Sequence, residues 1–268
     1  MKLRHLLILL LLLPACTESG AMTTMMLSGG VSGTAAATDY TADGSMEGYW
    51  MMEQATGADA TDGSGNGNTL TAFSDGSGPT RSADEQEGTY SSDFNSGNTE
   101  GFLLADASLS AGFPGKSDVS VPGSFSIGAW FALDVVDQAC DGIHKYAGED
   151  GSYRLRYNGE FYEFGISSNG TSINYLTIDD TAIVEDGTWY HVVGVYDDTA
   201  NTVEIFVDGY PGTNAAADTT MSTGTDNFRL AKQDNAMDGR MDEVFVMSRA
   251  LGDAEVLEIF TSGLAGGG

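Results

Sequence analysis

Side-chain oxygens recur at every second position of Asp62-Gly63-Ser64-Gly65-Asn66-Gly67-Asn68, with a glycine between each pair. Glycine lets the backbone curl inward. An oxygen-rich loop of this kind suits a hard cation such as Ca²⁺, which takes about six to eight oxygen ligands. It is not an EF-hand, because counting Asp62 as the first position puts Phe73 at the twelfth, where that motif needs a bidentate Glu. A turn held by Asx hydrogen bonds is the plain alternative.

A second concentration of chemistry is Tyr153-Arg154-Leu155-Arg156-Tyr157, with Tyr162 and Tyr175 close behind. Pyranose rings stack on aromatic faces, and polar groups beside the ring fix their hydroxyls. Arg154, Arg156, Tyr162 and Tyr175 are therefore the candidate ligand contacts. In a strand Tyr153, Leu155 and Tyr157 share the inner face, which turns Arg154 and Arg156 outward and makes them available to an acidic glycan.

Catalytic patterns are missing. The chain has no Glu-x-Asp-x-Glu run, no Gly-x-Ser-x-Gly elbow and no phosphate loop. Glu160 and Glu163 are three apart, which in a strand puts them on opposite faces. His144 and His191 are too few for a histidine zinc cluster, and His191 sits on the apolar side of its own stretch, as a hydrogen-bonded core histidine would. Cys140 reads as a small buried hydrophobe.

The elements that must position these groups are short alternating runs parted by Gly, Asn, Asp and Ser. Ser124 to Leu133 puts Phe125, Ile127, Ala129 and Phe131 on one face, and Ser126, Gly128 and Trp130 on the other. Thr188 to Tyr196 carries bulk on both faces and reads as a central strand. Thr202 to Val207 follows it as a hairpin partner and leaves through Asp208-Gly209. Gly151 to Asn158, Phe161 to Ser167 and Ser172 to Ile178 form a further group with tight turns at Asn158-Gly159 and Asn169-Gly170. Trp50, Trp130 and Trp189 look like core positions. One helix is expected, from Asp253 to about Thr261: Gly252 is its N-cap, Asp253 and Glu255 lie in the first turn, and Leu251 staples onto Val256. Val256, Ile259 and Phe260 form its apolar stripe. Strand after strand with one late helix is an all-β class, an antiparallel two-sheet sandwich.

The N-terminus sets the compartment. Lys2, Arg4 and His5 precede an apolar run, Leu6 to Leu13, that is far short of the ~20 residues needed to cross a bilayer. This is the form of a signal peptide. Leu13-Pro14-Ala15-Cys16 resembles the lipobox of bacterial lipoproteins, where the cysteine is acylated and becomes the new N-terminus. Cleavage after Ala21 is the alternative. Residues 1–15 are then the signal peptide, 16–43 a Ser/Thr/Gly/Ala-rich tether, 44–264 the domain and 265–268 a tail. With Cys16 lipidated, Cys140 has no disulfide partner. The full chain has 11 Lys and Arg against 39 Asp and Glu, a net charge of −28, and loss of Lys2 and Arg4 takes it to −30. Such a surface repels phosphate. Nucleic acid is excluded as a partner, and the membrane is reached through the lipid anchor alone.

Three stretches carry a family resemblance. Gly48-Tyr49-Trp50-Met51-Met52-Glu53 leads into the early loop. Gly187-Thr188-Trp189-Tyr190-His191-Val192-Val193 precedes Val203-Glu204-Ile205-Phe206-Val207-Asp208-Gly209. Gly239-Arg240-Met241-Asp242-Glu243-Val244 precedes Arg249-Ala250-Leu251-Gly252-Asp253-Ala254-Glu255. In that order they look like the concanavalin A-like, laminin-G-type jelly rolls, over roughly residues 46–262. The resemblance implies a jelly-roll sandwich, and a calcium where the early loop meets the Asp-Glu-Val segment. That carries over to Asp62, Asn66, Asn68 and Asp242 as metal ligands, with Glu53 as an additional candidate. Joined to the lipobox, it points to a non-catalytic cell-envelope lipoprotein that binds a glycan or a cell-surface protein, and Thr17 after the cysteine, where an Asp is absent, is compatible with the outer membrane or surface of a bacterium. A hydrolase or lyase with a divergent site, and a self-associating structural or adhesive module, are the alternatives.

Overall fold

The computed structural model describes residues 36–119, 123–146, 151–179, 183–216, 220–231 and 235–266. The signal peptide, Cys16 and most of the expected tether lie outside the described residues.

Fifteen strands, three short 3-10 helices and one α-helix are present among the described residues. The strands are β1 Met46–Trp50, β2 Thr71–Phe73, β3 Thr80–Ser82, β4 Ser91–Phe94, β5 Gly101–Leu104, β6 Phe125–Leu133, β7 Cys140–Lys145, β8 Tyr153–Tyr157, β9 Tyr162–Ile166, β10 Tyr175–Ile178, β11 Trp189–Asp197, β12 Thr202–Val207, β13 Tyr210–Ala216, β14 Phe228–Leu230 and β15 Gly239–Met247. The helix, α1, is Asp253–Ser262. An eight-stranded sheet runs β13-β12-β11-β6-β15-β4-β3, with β1 added to β15. A seven-stranded sheet runs β10-β9-β8-β7-β14-β5-β2. The strand pairings are antiparallel, and two such sheets face to face form a jelly-roll sandwich. β1 and β4 share one edge of the long strand β15, β1 beside Val244 to Met247 and β4 beside Gly239 to Met241.

The expected strands and helix are present with boundaries shifted by up to three residues, because period-2 alternation is a local signal. The strands β2 to β5 had no such signal, since they are three or four residues long in a Ser- and Gly-rich stretch and are held by neighbours distant in sequence.

The inner faces of the two sheets meet in the main core, where Phe125, Ile127, Ala129 and Phe131 of β6 pack with Leu155 of β8 and Phe164 of β9. Trp50 is fully buried there, stacked on Phe228 at 5.3 Å, and its indole N–H donates to the carbonyl of Asn68 at 2.9 Å. A second apolar cluster lies on the other face of the eight-stranded sheet. There Val193, Val195, Phe206, Phe245 and Met247 receive Leu251, Val256 and Ile259 from α1 and the turn before it. This explains the bulk on both faces of β11: Tyr190, Val192 and Tyr196 enter the core between the sheets, and Val193 and Val195 pack under the helix. Gly252 caps α1 as expected, its N–H donating to Glu255 Oε2 at 2.9 Å.

Several expectations are corrected. Trp130 and Trp189 are half-buried, not core. Trp130 stands on the helix-side face against Phe260 at 5.6 Å, and the Trp189 indole N–H donates to Asp84 at 3.1 Å. The end of the tether belongs to the folded unit: Tyr40 is buried, its hydroxyl donates to Glu258 at 2.8 Å, and its backbone N–H donates to the Leu264 carbonyl at 2.8 Å. Cys140, by contrast, is the free, buried thiol expected, its pKa pushed up to about 12 by burial and then by the Asp141 charge.

His191 is buried as expected, between Trp130 at 5.1 Å and Phe260 at 6.1 Å, yet its Nδ1 has no hydrogen-bond partner. Burial pushes its pKa down to about 3. An unfolded histidine titrates near ~6.5, so between these values the unfolded chain binds the extra proton and stability falls as pH falls.

Two stability predictions follow from this packing. Ile259→Ala should cost about 2–5 kcal/mol in urea unfolding, the usual range for opening a cavity at a buried aliphatic position. His191→Leu removes the proton penalty, so relative to the native chain it should gain roughly 2 kcal/mol between pH 6.5 and pH 5. An equal difference at pH 8 and pH 5 would show that His191 is not held neutral.

Candidate functional site

The Asn158-Gly159 turn returns β9 along β8 so that Arg156 faces Glu163 and Arg154 faces Gly165. On the other side β7 sets Asp141 beside Arg156 and His144 beside Arg154. Tyr153, Leu155 and Tyr157 point into the core, so the two arginines emerge on the outer face of the seven-stranded sheet, as expected. They are not bare. Glu163 accepts from Arg156 Nε, from Arg154 at 3.2 Å and from Asn158 Nδ2 at 3.1 Å, and Arg154 Nε lies 4.0 Å from Asp141. The side chains of Arg154 and Arg156 are 16% and 22% exposed, and those of Glu163 and Asp141 are 4% and 1% exposed. Burial, and then the charge of Arg156, lower the Arg154 pKa. The Arg154 guanidinium also lies 5.6 Å from the ring centroid of Tyr146.

Of the four expected ligand contacts, only the arginines take this position. Tyr162 faces inward and is buried against Tyr157 at 5.4 Å and Phe131 at 5.9 Å, where no ligand can stack on it. Tyr175 is half-buried and packs on the same core. Both tyrosines begin their strands in the inward register, so each fills core and not surface. Glu163 was legible as a partner of Arg156 once the Asn158-Gly159 turn was counted through. Asp141 needed the register of β7, which a bulge between Asp141 and Ile143 shifts.

The early loop is a closed hydrogen-bonded turn. Asp62 Oδ1 accepts from the N–H of Tyr49 at 3.1 Å and of Ser64 at 2.9 Å, and Oδ2 accepts from Ser64 Oγ at 2.9 Å and the Asn68 N–H at 2.8 Å. A carboxylate has about four lone-pair positions, and all of them are taken. Asn68 is buried, its Oδ1 accepting from Ser110 and its Nδ2 donating to the Glu47 carbonyl. Asn66 donates to the Met46 carbonyl at 2.7 Å. Asp242 is fully buried in β15 and accepts from the N–H groups of Gln86, Glu87 and Glu243 at 2.9, 3.1 and 3.0 Å. Burial pushes Asp242 up to about 7 and Glu243, which accepts from the Tyr49 hydroxyl, up to about 8. Glu53 is spent on the N–H groups of Thr89 and Tyr90. The expected calcium set therefore does not fit as an ion cage. Among the described residues no group of three or more His, Cys, Asp or Glu side chains is arranged to hold a metal ion.

This geometry predicts that a strong chelator leaves the unfolding temperature unchanged, measured by thermal denaturation with and without added Ca²⁺. A fall of several degrees in chelator would restore the ion and require the hydrogen bonds of Asp62 or Asp242 to open around it.

The comparisons agree with this architecture. A family model described as the concanavalin A-like lectin/glucanases superfamily, of the laminin-G type, matches residues 106–257. Among solved structures, the binding domain of Paraclostridial Mosquitocidal Protein 1 superposes with a TM-score of 0.63 at 12% identity, over 81% of this chain and 52% of that one. The ligand binding domain of botulinum neurotoxin serotype D, in complex with N-acetylneuraminic acid, gives 0.60 at 10% identity, over 81% and 50%. Domain 4 of AbnA, an extracellular arabinanase from Geobacillus stearothermophilus, in complex with arabinotriose, gives 0.58 at 14% identity, over 80% and 97%. The chain spans about half the length of the first two. At such identities the likeness shows the fold alone. A comparison with curated proteins returns no match. With the family model covering more than half of the chain and the two-sheet architecture in agreement, the chain belongs to the concanavalin A-like lectin/glucanases superfamily.

Proposed function

We propose that this protein is a non-catalytic binding module of a bacterial cell-envelope lipoprotein, and that it recognises a glycan on the outer face of its seven-stranded sheet. The observation that carries the reading is the Arg154/Arg156/Glu163/Asp141 cluster. It sets charged donors and acceptors in the fixed register of three paired strands, and a rigid scaffold is what a recognition site needs. Glu163 accepts three hydrogen bonds from the protein and Arg156 stands between it and Asp141. Glycoside hydrolysis instead asks for two carboxyl groups facing one open cleft, one of them ready to donate a proton. The structures with this fold include domains solved with N-acetylneuraminic acid and with arabinotriose, which supports a sugar as the ligand class. Calcium plays no part in this reading.

The anchor is proposed from Leu13-Pro14-Ala15-Cys16 alone. Acyl chains are needed in this reading because a charge of −28 opposes adsorption to anionic lipid.

Two measurements test the proposal. Cys16→Ser should move the protein from the membrane fraction to the soluble fraction in a bacterial host. If it stays with the membrane, the lipoprotein reading fails. The full-length protein incubated with a panel of neutral and acidic oligosaccharides should show a raised unfolding temperature with at least one of them, about 2.7 kcal/mol of stabilisation at a hundredfold excess over Kd, and no new reducing ends. New reducing ends would make it a hydrolase. No shift with any sugar would move the reading to a protein partner.

A further inference from the structure

We propose that the open cleft at the β2 edge of the seven-stranded sheet, with the Phe73 ring as one wall, is the stacking subsite for a single neutral sugar residue. The inference rests on the glycan-binding reading above and names the ring platform and the ligand class. Stacking needs an aromatic face at the surface, and the tyrosines of β8, β9 and β10 are turned to the core. Within the described strands of this sheet Phe73 is the aromatic residue of outward parity. Its neighbour Ala72 packs on the core and pairs with the buried Phe102, so Phe73 and its partner Gly101 lie on the other face.

The ring is held by what lies under and beside it. A Cβ at position 101 would stand 2.8 Å from Phe73 Cζ, so only glycine lets the ring lie over β5. The Arg229 guanidinium carbon is 5.9 Å from the ring centroid, within reach of a cation–π contact. Phe73 is half-buried, which leaves part of the ring open to solvent. Beside it the surface opens into a cleft of 250 Å³, lined among others by Ser74, Ser77, Gly57, Gly76 and Gly78. Gly57 and Gly78 have φ of 68° and 81°, and a Cβ at Gly78 would come 3.0 Å from the Gly57 Cα. The two segments therefore meet backbone to backbone, and their glycines offer peptide groups, not side chains, to the cleft.

Size and chemistry narrow the ligand. A volume of 250 Å³ is below the ~300–1,000 Å³ of drug-sized sites and has room for one ring. None of the described residues lining it carries a charge. Serine hydroxyls and peptide groups both donate and accept hydrogen bonds, as sugar hydroxyls do. An aromatic face beside uncharged groups of this kind fits a neutral pyranose or furanose, and a chain of charge −28 adds no attraction for an acidic one. In the sheet order β2 is four strands from β8, ~19 Å at strand spacing, so the cleft is separate from the Arg154/Arg156 cluster and is tested apart from it.

The test is isothermal titration of the full-length protein with arabinotriose, xylotriose, maltotriose and cellotriose, and with sialyllactose as the acidic comparator. At least one neutral trisaccharide should bind, and more tightly than sialyllactose. Phe73→Leu keeps the apolar contact but removes the ring face, and should weaken binding of that sugar about tenfold. Ser77→Leu, at an exposed position, crowds the cleft and should weaken it to a like degree without moving the unfolding temperature. This second variant keeps the test sound if Phe73→Leu also lowers stability. Tighter binding of sialyllactose than of every neutral sugar overturns the neutral class. Unchanged affinity in Ser77→Leu overturns the cleft and leaves glycan binding standing. Binding of none of the sugars overturns both.

Discussion

The docking of α1 is the constraint on which the rest of the arrangement depends. Val256 and Ile259 drive into Val193, Val195, Phe206 and Phe245, and so the outer face of the eight-stranded sheet becomes a second interior. A sheet has two faces, and a protein of this size cannot bury both faces of both sheets. With one outer face committed to the helix, the outer face of the seven-stranded sheet is where charged side chains can stand in a fixed frame. Arg154, Arg156 and Arg229 are there.

Two buried polar groups show how differently the two sheets handle charge. On the helix side, Asp242 and Glu243 are taken far enough from water that their carboxyls are pushed up to about 7 and about 8, and His191 is pushed down to about 3. Removing charge is the cheaper solution where no counter-ion is at hand. On the other sheet the carboxylates of Glu163 and Asp141 keep guanidinium groups within reach. The second arrangement leaves the arginine side chains partly exposed at the rim of the carboxylates they pair with.

The early loop illustrates how a residue pattern can satisfy two chemistries. Alternating oxygens and glycines would wrap a cation, but the same oxygens also serve backbone N–H groups. In the folded chain Asp62 spends its acceptor capacity on Tyr49, Ser64 and Asn68, and this ties the loop to β1 and brings the Asn68 carbonyl to the Trp50 indole. The strand the loop packs on supplies one of the N–H groups that those oxygens accept from.

Sequence periodicity alone determined the class of fold, since alternation in β6, β8, β9, β11 and β12 and the stripe of α1 are read over a few neighbouring residues. It also determined the outward direction of Arg154 and Arg156, by parity within one strand. Tertiary structure decided what that parity could not reach. Tyr162 and Tyr175 turned inward because β9 and β10 pair in the register that β8 imposes. Asp141 came to Arg156 through a bulge, and Arg229 came to His144 from a three-residue strand with no periodicity of its own. Burial of Tyr40 beside Leu264 brought into the domain a residue that composition alone assigned to the tether. Each of these depends on which distant strands pair, and pairing is a property of the whole sandwich, settled by the shared core and not by any local run of residues.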